Sequence, residues 1–337
     1  MTSEELVRGL SREVVGQPRA VGTVARAAVL AKAGFPSDCG HQGPLLLVGP
    51  TGTGKTHLAR SLARTLHGGL SNLIVVDCVQ FAQGEEWPSF LKQVAPHFAR
   101  PSQGVANPVA SIAPSSVLLV EHLEWCRPEF VQMFTQALKE GTLLLPSGGC
   151  GWLSGTVVLF TTRLCSGEIL DSTPSSIGFT PAGHDPEVHE KARIFQACAS
   201  VLERRWGADA MAAIEETVVF HRLRLEHLPS ILGLLLDRLT ARLAPAGSGC
   251  VLDAAARDFV VSRGSRNLQH GAWWLVRAFR RFVDFPVADL ILANRIPPGA
   301  WLVATHEEGE DHLRFHLESS IRAAEAAGVF AEVPVGA

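Results

Sequence analysis

The stretch Gly49-Pro50-Thr51-Gly52-Thr53-Gly54-Lys55-Thr56 constrains this chain more than any other, because it satisfies the pattern G-x-x-x-x-G-K-[ST] at every fixed position. The pattern has a mechanical meaning. Its glycines let the backbone curl so that successive N–H groups point into one hollow, and a helix starting at the loop's end adds partial positive charge. Lys55 then reaches the β- and γ-phosphates of a nucleotide, and Thr56 offers a hydroxyl to Mg²⁺. The flanks agree with this use. Leu45-Leu46-Leu47-Val48 is an apolar run of the kind found in buried parallel strands, and His57 to Ala63 has helical spacing. A chance glycine-rich turn would not carry both flanks.

At 337 residues, 47% of them hydrophobic, the chain can bury a substantial core in one large or two modest domains. A net charge of -3 gives no global electrostatic case for nucleic acid or anionic lipid. The start, Met1-Thr2-Ser3-Glu4-Glu5, is acidic, and no uninterrupted apolar run reaches membrane-spanning length, so a cytoplasmic protein is expected. The seven cysteines show no C-x-x-C spacing and read as free buried thiols.

Beyond the loop, apolar strands alternate with helices. Strands are expected at 73–77, 116–120, 156–162 and 217–220, and helices at 4–10, 19–32, 88–98, 128–140 and 188–205. Such alternation implies α/β architecture, a parallel sheet covered on both faces with ligands at the carboxyl ends of its strands. From Leu223 the pattern turns mainly helical, with a small hairpin expected from 298–304 and 313–317. The segments 100–108 and 171–186 read as loops.

Ordered along the chain are Val14-Val15-Gly16-Gln17, the Gly49–Thr56 loop, Pro128-Glu129-Phe130 through Gly141, the Thr156–Ile169 stretch, Val218-Val219-Phe220-His221-Arg222-Leu223 and Gly264-Ser265-Arg266-Asn267-Leu268. On these residues the chain resembles a single AAA+ module of the Clp unfoldase family, similar to the second ATPase module of ClpB, ClpA or ClpC, from Leu10 to Leu317. The resemblance implies a P-loop NTPase large domain over 1–222, a smaller mainly helical lid with a short β-hairpin over 223–318, and a tail over 319–337. It implies ATP or ADP with Mg²⁺, bound by Val15, Gly16, Gly49, Pro50, Thr51, Gly52, Thr53, Gly54, Lys55, Thr56 and His57, with Arg266 over the phosphates. It also implies assembly into a homo- or hetero-oligomeric ring that remodels protein clients.

The catalytic positions depart from the family. Counting back from Pro128, the family's Asp-Glu pair falls on Glu121-His122. Glu121 keeps a charge for Mg²⁺, whereas His122 can accept a proton only when neutral and lacks the carboxylate's negative charge. A one-residue slip would make Glu121 the base and put Val120 at the magnesium position. The polar sensor 1 position falls on Arg163, and the trans-acting arginine finger falls on Ala213, with Arg204 and Arg205 more than a helical turn upstream. An arginine finger is worth roughly 10³–10⁵ in rate, so its loss together with the base predicts very slow hydrolysis or none. The pore-loop region, Gln103 to Pro108, has no aromatic grip, and Phe98 nearby reads as a packing residue.

Ile177-Gly178-Phe179 resembles the tripeptide by which ClpA, ClpC and ClpX dock onto the ClpP peptidase. His184, Asp185, Glu187 and His189 read as a solvated loop, and Trp273-Trp274 as core with Arg277, Arg280 and Arg281 outside it. Two functions follow: an ATP-binding ring subunit or adaptor with little turnover, or an active unfoldase with a rearranged site.

Overall fold

The computed structural model describes residues 2–33, 42–81, 84–98, 116–146, 148–153, 155–170 and 186–319. The expected pore-loop segment 103–108, the tripeptide Ile177-Gly178-Phe179, His184 and Asp185, and the tail from 320 lie outside these residues. The chain divides into two compact units, 1–222 and 223–337.

The first unit begins with α1 (Ser3–Glu13), opened by a capping box in which Thr2 and Glu5 satisfy each other's backbone N–H groups. After α2 (Pro18–Ala33) come β1 (Gln42–Val48), α3 (Lys55–His67), β2 (Leu73–Asp77), α4 (Glu86–Phe98), β3 (Ser116–Glu121) and α5 (Pro128–Glu140). Then follow β4 (Thr142–Leu144), β5 (Cys150–Trp152), β6 (Thr156–Thr162), α6 (Ser166–Leu170), α7 (Pro186–Trp206), α8 (Ala208–Ala212) and β7 (Glu216–Val219). Helix α5 shows how directly the sequence writes some boundaries. Pro128 occupies its first turn, and Gly141, at φ 67°, closes it by donating its N–H to Leu138.

Five strands form one parallel sheet in the order β2-β3-β6-β1-β7. Its inner strands are buried on both faces, which is why they read as continuous apolar runs. Successive residues serve opposite cores: Leu46, Val48, Leu118, Val120, Val158 and Phe160 face one. Leu45, Leu47, Val117, Leu119, Val157 and Leu159 face the other, with α1, α2 and α3. The first core is dominated by aromatic rings, with Phe134 lying 4.5 Å from Phe90 and 5.1 Å from Phe160 between centroids. Phe98 is buried here, as expected of a packing residue.

The second unit contains α9 (Leu228–Leu243), β8 (Gly249–Leu252), α10 (Ala254–Gly264), α11 (Trp273–Phe279), α12 (Phe285–Leu292), β9 (Trp301–Thr305) and β10 (Arg314–Glu318). Leu228, Leu232, Leu236, Leu239 and Leu243 form the buried stripe of α9. The expected hairpin is present as β9 and β10, but β8 pairs parallel to β9 and makes the sheet three-stranded. A second correction concerns Trp273, whose surface is 48% exposed. On a helix, two adjacent residues cannot both face the core. Arg277 instead caps both rings, 5.4 and 5.5 Å from their centroids. Cys78, Cys126, Cys165, Cys198 and Cys250 are buried thiols, while Cys150 on β5 is exposed. No helix among the described residues is long and apolar enough to cross a membrane.

Because Phe134 is fully buried among aromatic neighbours, Phe134→Ala is expected to lower stability by about 3–5 kcal/mol, measured as a shift of the urea midpoint for the full chain.

Candidate nucleotide-binding site

The loop between β1 and α3 is shaped by three glycines at positive φ: Gly49 at 155°, Gly52 at 75° and Gly54 at 107°. A Cβ at Gly49 would stand 2.6 Å from the Phe220 carbonyl oxygen, so the loop leaves the sheet through a gap only glycine fits. The Gly49 N–H donates to the Thr162 carbonyl at 3.2 Å, joining the loop's first residue to the end of β6. Inside, the Thr53 hydroxyl donates to the Pro50 carbonyl at 2.9 Å, and the buried Lys55 ammonium donates to Gly49 and Pro50 carbonyls at 2.6 and 2.8 Å. Burial pushes Lys55 down to about 8, with Arg163 adding to the effect and Glu124 and Glu121 opposing it.

Thr56, in the first turn of α3, donates its hydroxyl to the Glu121 carboxylate at the end of β3. That contact brings together the hydroxyl and carboxylate expected for magnesium, while Val120 points into the apolar core, fully buried. The donor set is hard oxygen, which suits Mg²⁺ with water completing its shell. His122 follows in a left-handed conformation at φ 60°, and its N–H donates to the Thr161 hydroxyl at 3.3 Å. Its Nδ1 lies 2.9 Å from Asp77 Oδ1 at the end of β2. Asp77 as acceptor requires the hydrogen on Nδ1, which leaves Nε2 of a neutral ring able to take a proton.

One turn further, Glu124 meets Arg163: the Arg163 Nε donates to Oε1 at 2.9 Å, and its backbone N–H donates to Oε2 at 3.2 Å. Burial would raise the Glu124 carboxyl, but hydrogen bonds from Arg163, from backbone and from Thr162 outweigh it and hold the group below the usual carboxylate range.

The turn between α1 and α2 packs beside this loop. Val14, Val15 and Gly16 lead into Gln17, which is 2% exposed. The Gln17 amide donates to the His221 carbonyl at 2.9 Å and accepts the His221 N–H at 3.1 Å, pinning the chain just after β7. His57 turns from the loop to the α1 end, 3.0 Å from the Glu13 carbonyl oxygen.

The comparisons with known proteins agree with this architecture. Residues 38–144 match the family described as an AAA domain, and residues 223–303 match the C-terminal, D2-small domain, of ClpB protein. Over 301 residues the chain is 27% identical to the negative regulator of genetic competence ClpC/MecB of Bacillus subtilis (strain 168), covering 89% of this chain and 36% of that protein. The two matches and this relative make the chain similar to a Clp-type AAA+ module. The ATP-dependent Clp protease ATP-binding subunit ClpC of Staphylococcus aureus (strain USA300) is 25% identical over the same length, with the same coverage of both chains. The module thus spans about a third of the length of these relatives. In fold it is similar to Hsp104 in a closed state with ATPγS and FITC-casein, at TM-score 0.71 and 21% identity, covering 94% of the module and 52% of that chain. The S. cerevisiae Hsp104–ADP complex gives TM-score 0.71 and 23% identity, covering 92% and 51%.

Of the expected site residues, Gly49 to Thr56, Glu121, His122 and Arg163 gather at the carboxyl ends of β1, β3 and β6. Ala213 follows α8 and offers no cation; Arg205 donates to the Cys126 carbonyl at 3.0 Å, and Arg204 to its own helix at Ser200. Arg266 is exposed on the second unit, in the 3₁₀ stretch Ser265–His270. Two residues at the site carry no motif signature, Asp77 and Glu124, while Gln17 lies in the Val14–Gln17 segment, where the resemblance gives it no role. Position alone could have flagged Asp77, the polar residue closing an apolar strand at its ligand-bearing end.

Gln17→Ala removes both buried hydrogen bonds to His221 and is expected to cost about 1–3 kcal/mol, read from urea unfolding of the full chain.

Proposed function

We propose that this module binds ATP with Mg²⁺ as a nucleotide-regulated subunit or adaptor in a Clp-type ring and hydrolyses it slowly or not at all. The observation that carries the binding half is the Thr56–Glu121 contact, which draws the loop hydroxyl and the β3 carboxylate onto one point beside the buried Lys55 ammonium. Loop amides, the α3 N-terminus and Lys55 would hold the phosphates, and Thr56 and Glu121 the metal, which supplies charge neutralisation when bound. Binding would stabilise the chain by RT ln(1 + [L]/Kd), a few kcal/mol at ligand concentrations about 100-fold above Kd.

Slow turnover rests on two substitutions. His122 brings no fixed negative charge to the position where the family has a glutamate, and Ala213 brings no cation to the finger position. The rival, an active unfoldase, draws support from the Asp77–His122 pair, because an oriented imidazole is a competent proton acceptor. The family's ring assembly, and a peptidase contact through Ile177 and Phe179, complete the proposal for partners; clients stay unnamed.

A fluorescent ATP analogue with Mg²⁺ is expected to bind the full chain and to lose at least about tenfold in affinity on Lys55→Ala, the scale of one charge-assisted contact. Steady-state phosphate release is expected not to exceed that of the Lys55→Ala protein. Turnover that vanishes on His122→Ala or Glu121→Ala would instead establish the unfoldase. In a pull-down with a ClpP-like peptidase, Ile177→Ser with Phe179→Ser is expected to abolish capture while leaving nucleotide binding intact; absence of capture by the unaltered chain refutes the docking.

A further inference from the structure

In the second unit the three-stranded sheet runs β10-β9-β8, so β10 (Arg314–Glu318) is its outermost strand, and no described strand pairs with its outer edge. Such an edge can accept another extended chain. Between α12 and β10 lies a groove of about 350 Å³, lined by Pro286, Asp289, Leu290, Ala293, Arg295 and Phe315. Leu290 and Phe315 are half-buried and pack against the core of the unit, so the groove is a gap in the cover of that core. The same two elements leave Phe285, Leu292 and Leu317 exposed, more apolar surface than a solvated face needs. Arg295 stands exposed at the groove, and its guanidinium meets no carboxylate among the described residues.

We propose that this groove is the seat of the chain's own segment Val329–Val333, laid along β10 with Phe330 in the groove and Glu332 against Arg295. The proposal is independent of nucleotide binding. Reach favours this occupant, because the stretch from 320 follows directly on the strand that lines the groove, with Phe315 only three positions before the end of β10. The 11 positions from Ser319 to Phe330 (330 − 319) span up to about 36 Å when extended, whereas β10 is roughly 17 Å long, so the segment can turn and come back beside the strand. Composition favours it too. Val329-Phe330-Ala331-Glu332-Val333 is apolar except for one acid, which suits an apolar groove with one free cation at its edge. In an extended chain residues two apart share a face, so the ring that fills the groove brings with it the carboxylate that meets Arg295. Pro334, which has no N–H, ends the pairing there.

The test compares amide hydrogen exchange, read by mass spectrometry, in the full chain and in a chain shortened after Ser319. Removing the segment is expected to speed exchange at least about tenfold in 285–296 and 314–318. Exchange in α9 (Leu228–Leu243) is expected to stay unchanged, the internal check that the shortened unit is folded. Phe330→Asp in the full-length chain is expected to reproduce the shortened one. Arg295→Glu is expected to speed exchange in the same two regions, and adding Glu332→Arg to restore protection, a recovery that a purely local role of Arg295 would not give. Equal exchange with and without the segment overturns the proposal, as does a double charge reversal that recovers nothing. Protection that fades on about tenfold dilution also overturns it and assigns the groove to a second copy of the chain.

Discussion

Everything at the site depends on strand β1 being hydrogen-bonded on both sides and buried on both faces. A strand so enclosed cannot shift, so the loop that leaves it begins at a fixed point, and Gly49 passes the Phe220 carbonyl with no room for a side chain. The burial of Leu45 to Val48 is therefore the foundation of the phosphate hollow as much as of the core. Parallel pairing then brings the ends of β2, β3 and β6 to the same edge, which is why Asp77, Glu121, His122 and Arg163 meet there although the chain spreads them over 87 positions, 77 through 163 counted inclusively.

The polar groups at that edge are arranged in pairs. The neutral Thr56 hydroxyl hydrogen-bonds Glu121, Asp77 meets His122, and Glu124 meets Arg163. Pairing matters because partly buried charges are costly when alone. The imidazole of His122 and the guanidinium of Arg163 each meet a carboxylate, Asp77 and Glu124 respectively.

Much of the architecture was legible in residue order. The sheet strands read as apolar runs, and α5 carries its own start and stop in Pro128 and Gly141. Short elements were not legible: β4 and β5 have only Thr142–Leu144 and Cys150–Trp152, and β8, Gly249–Leu252, is too brief to be told from a buried helical segment. Trp273 could not be oriented from sequence, since either of two adjacent tryptophans could face the core. At the site, motif spacing reached Gly49 to Thr56, and the family resemblance pointed to Glu121, His122 and Arg163. The hydrogen bonds of Glu124 and Gln17 escaped because their partners lie 39 and 204 positions away, at distances that only the folded sheet makes short.

Gln17 joins two places that the chain keeps far apart. Through its amide the α1–α2 turn, next to the phosphate loop, holds the backbone of His221, and the second compact unit begins at Leu223. The first unit thus ends on a tether rather than a free strand end. The polypeptide leading into the second unit departs two residues after an anchor supplied by the α1–α2 turn, so its point of departure is fixed by a residue some two hundred positions earlier in the chain.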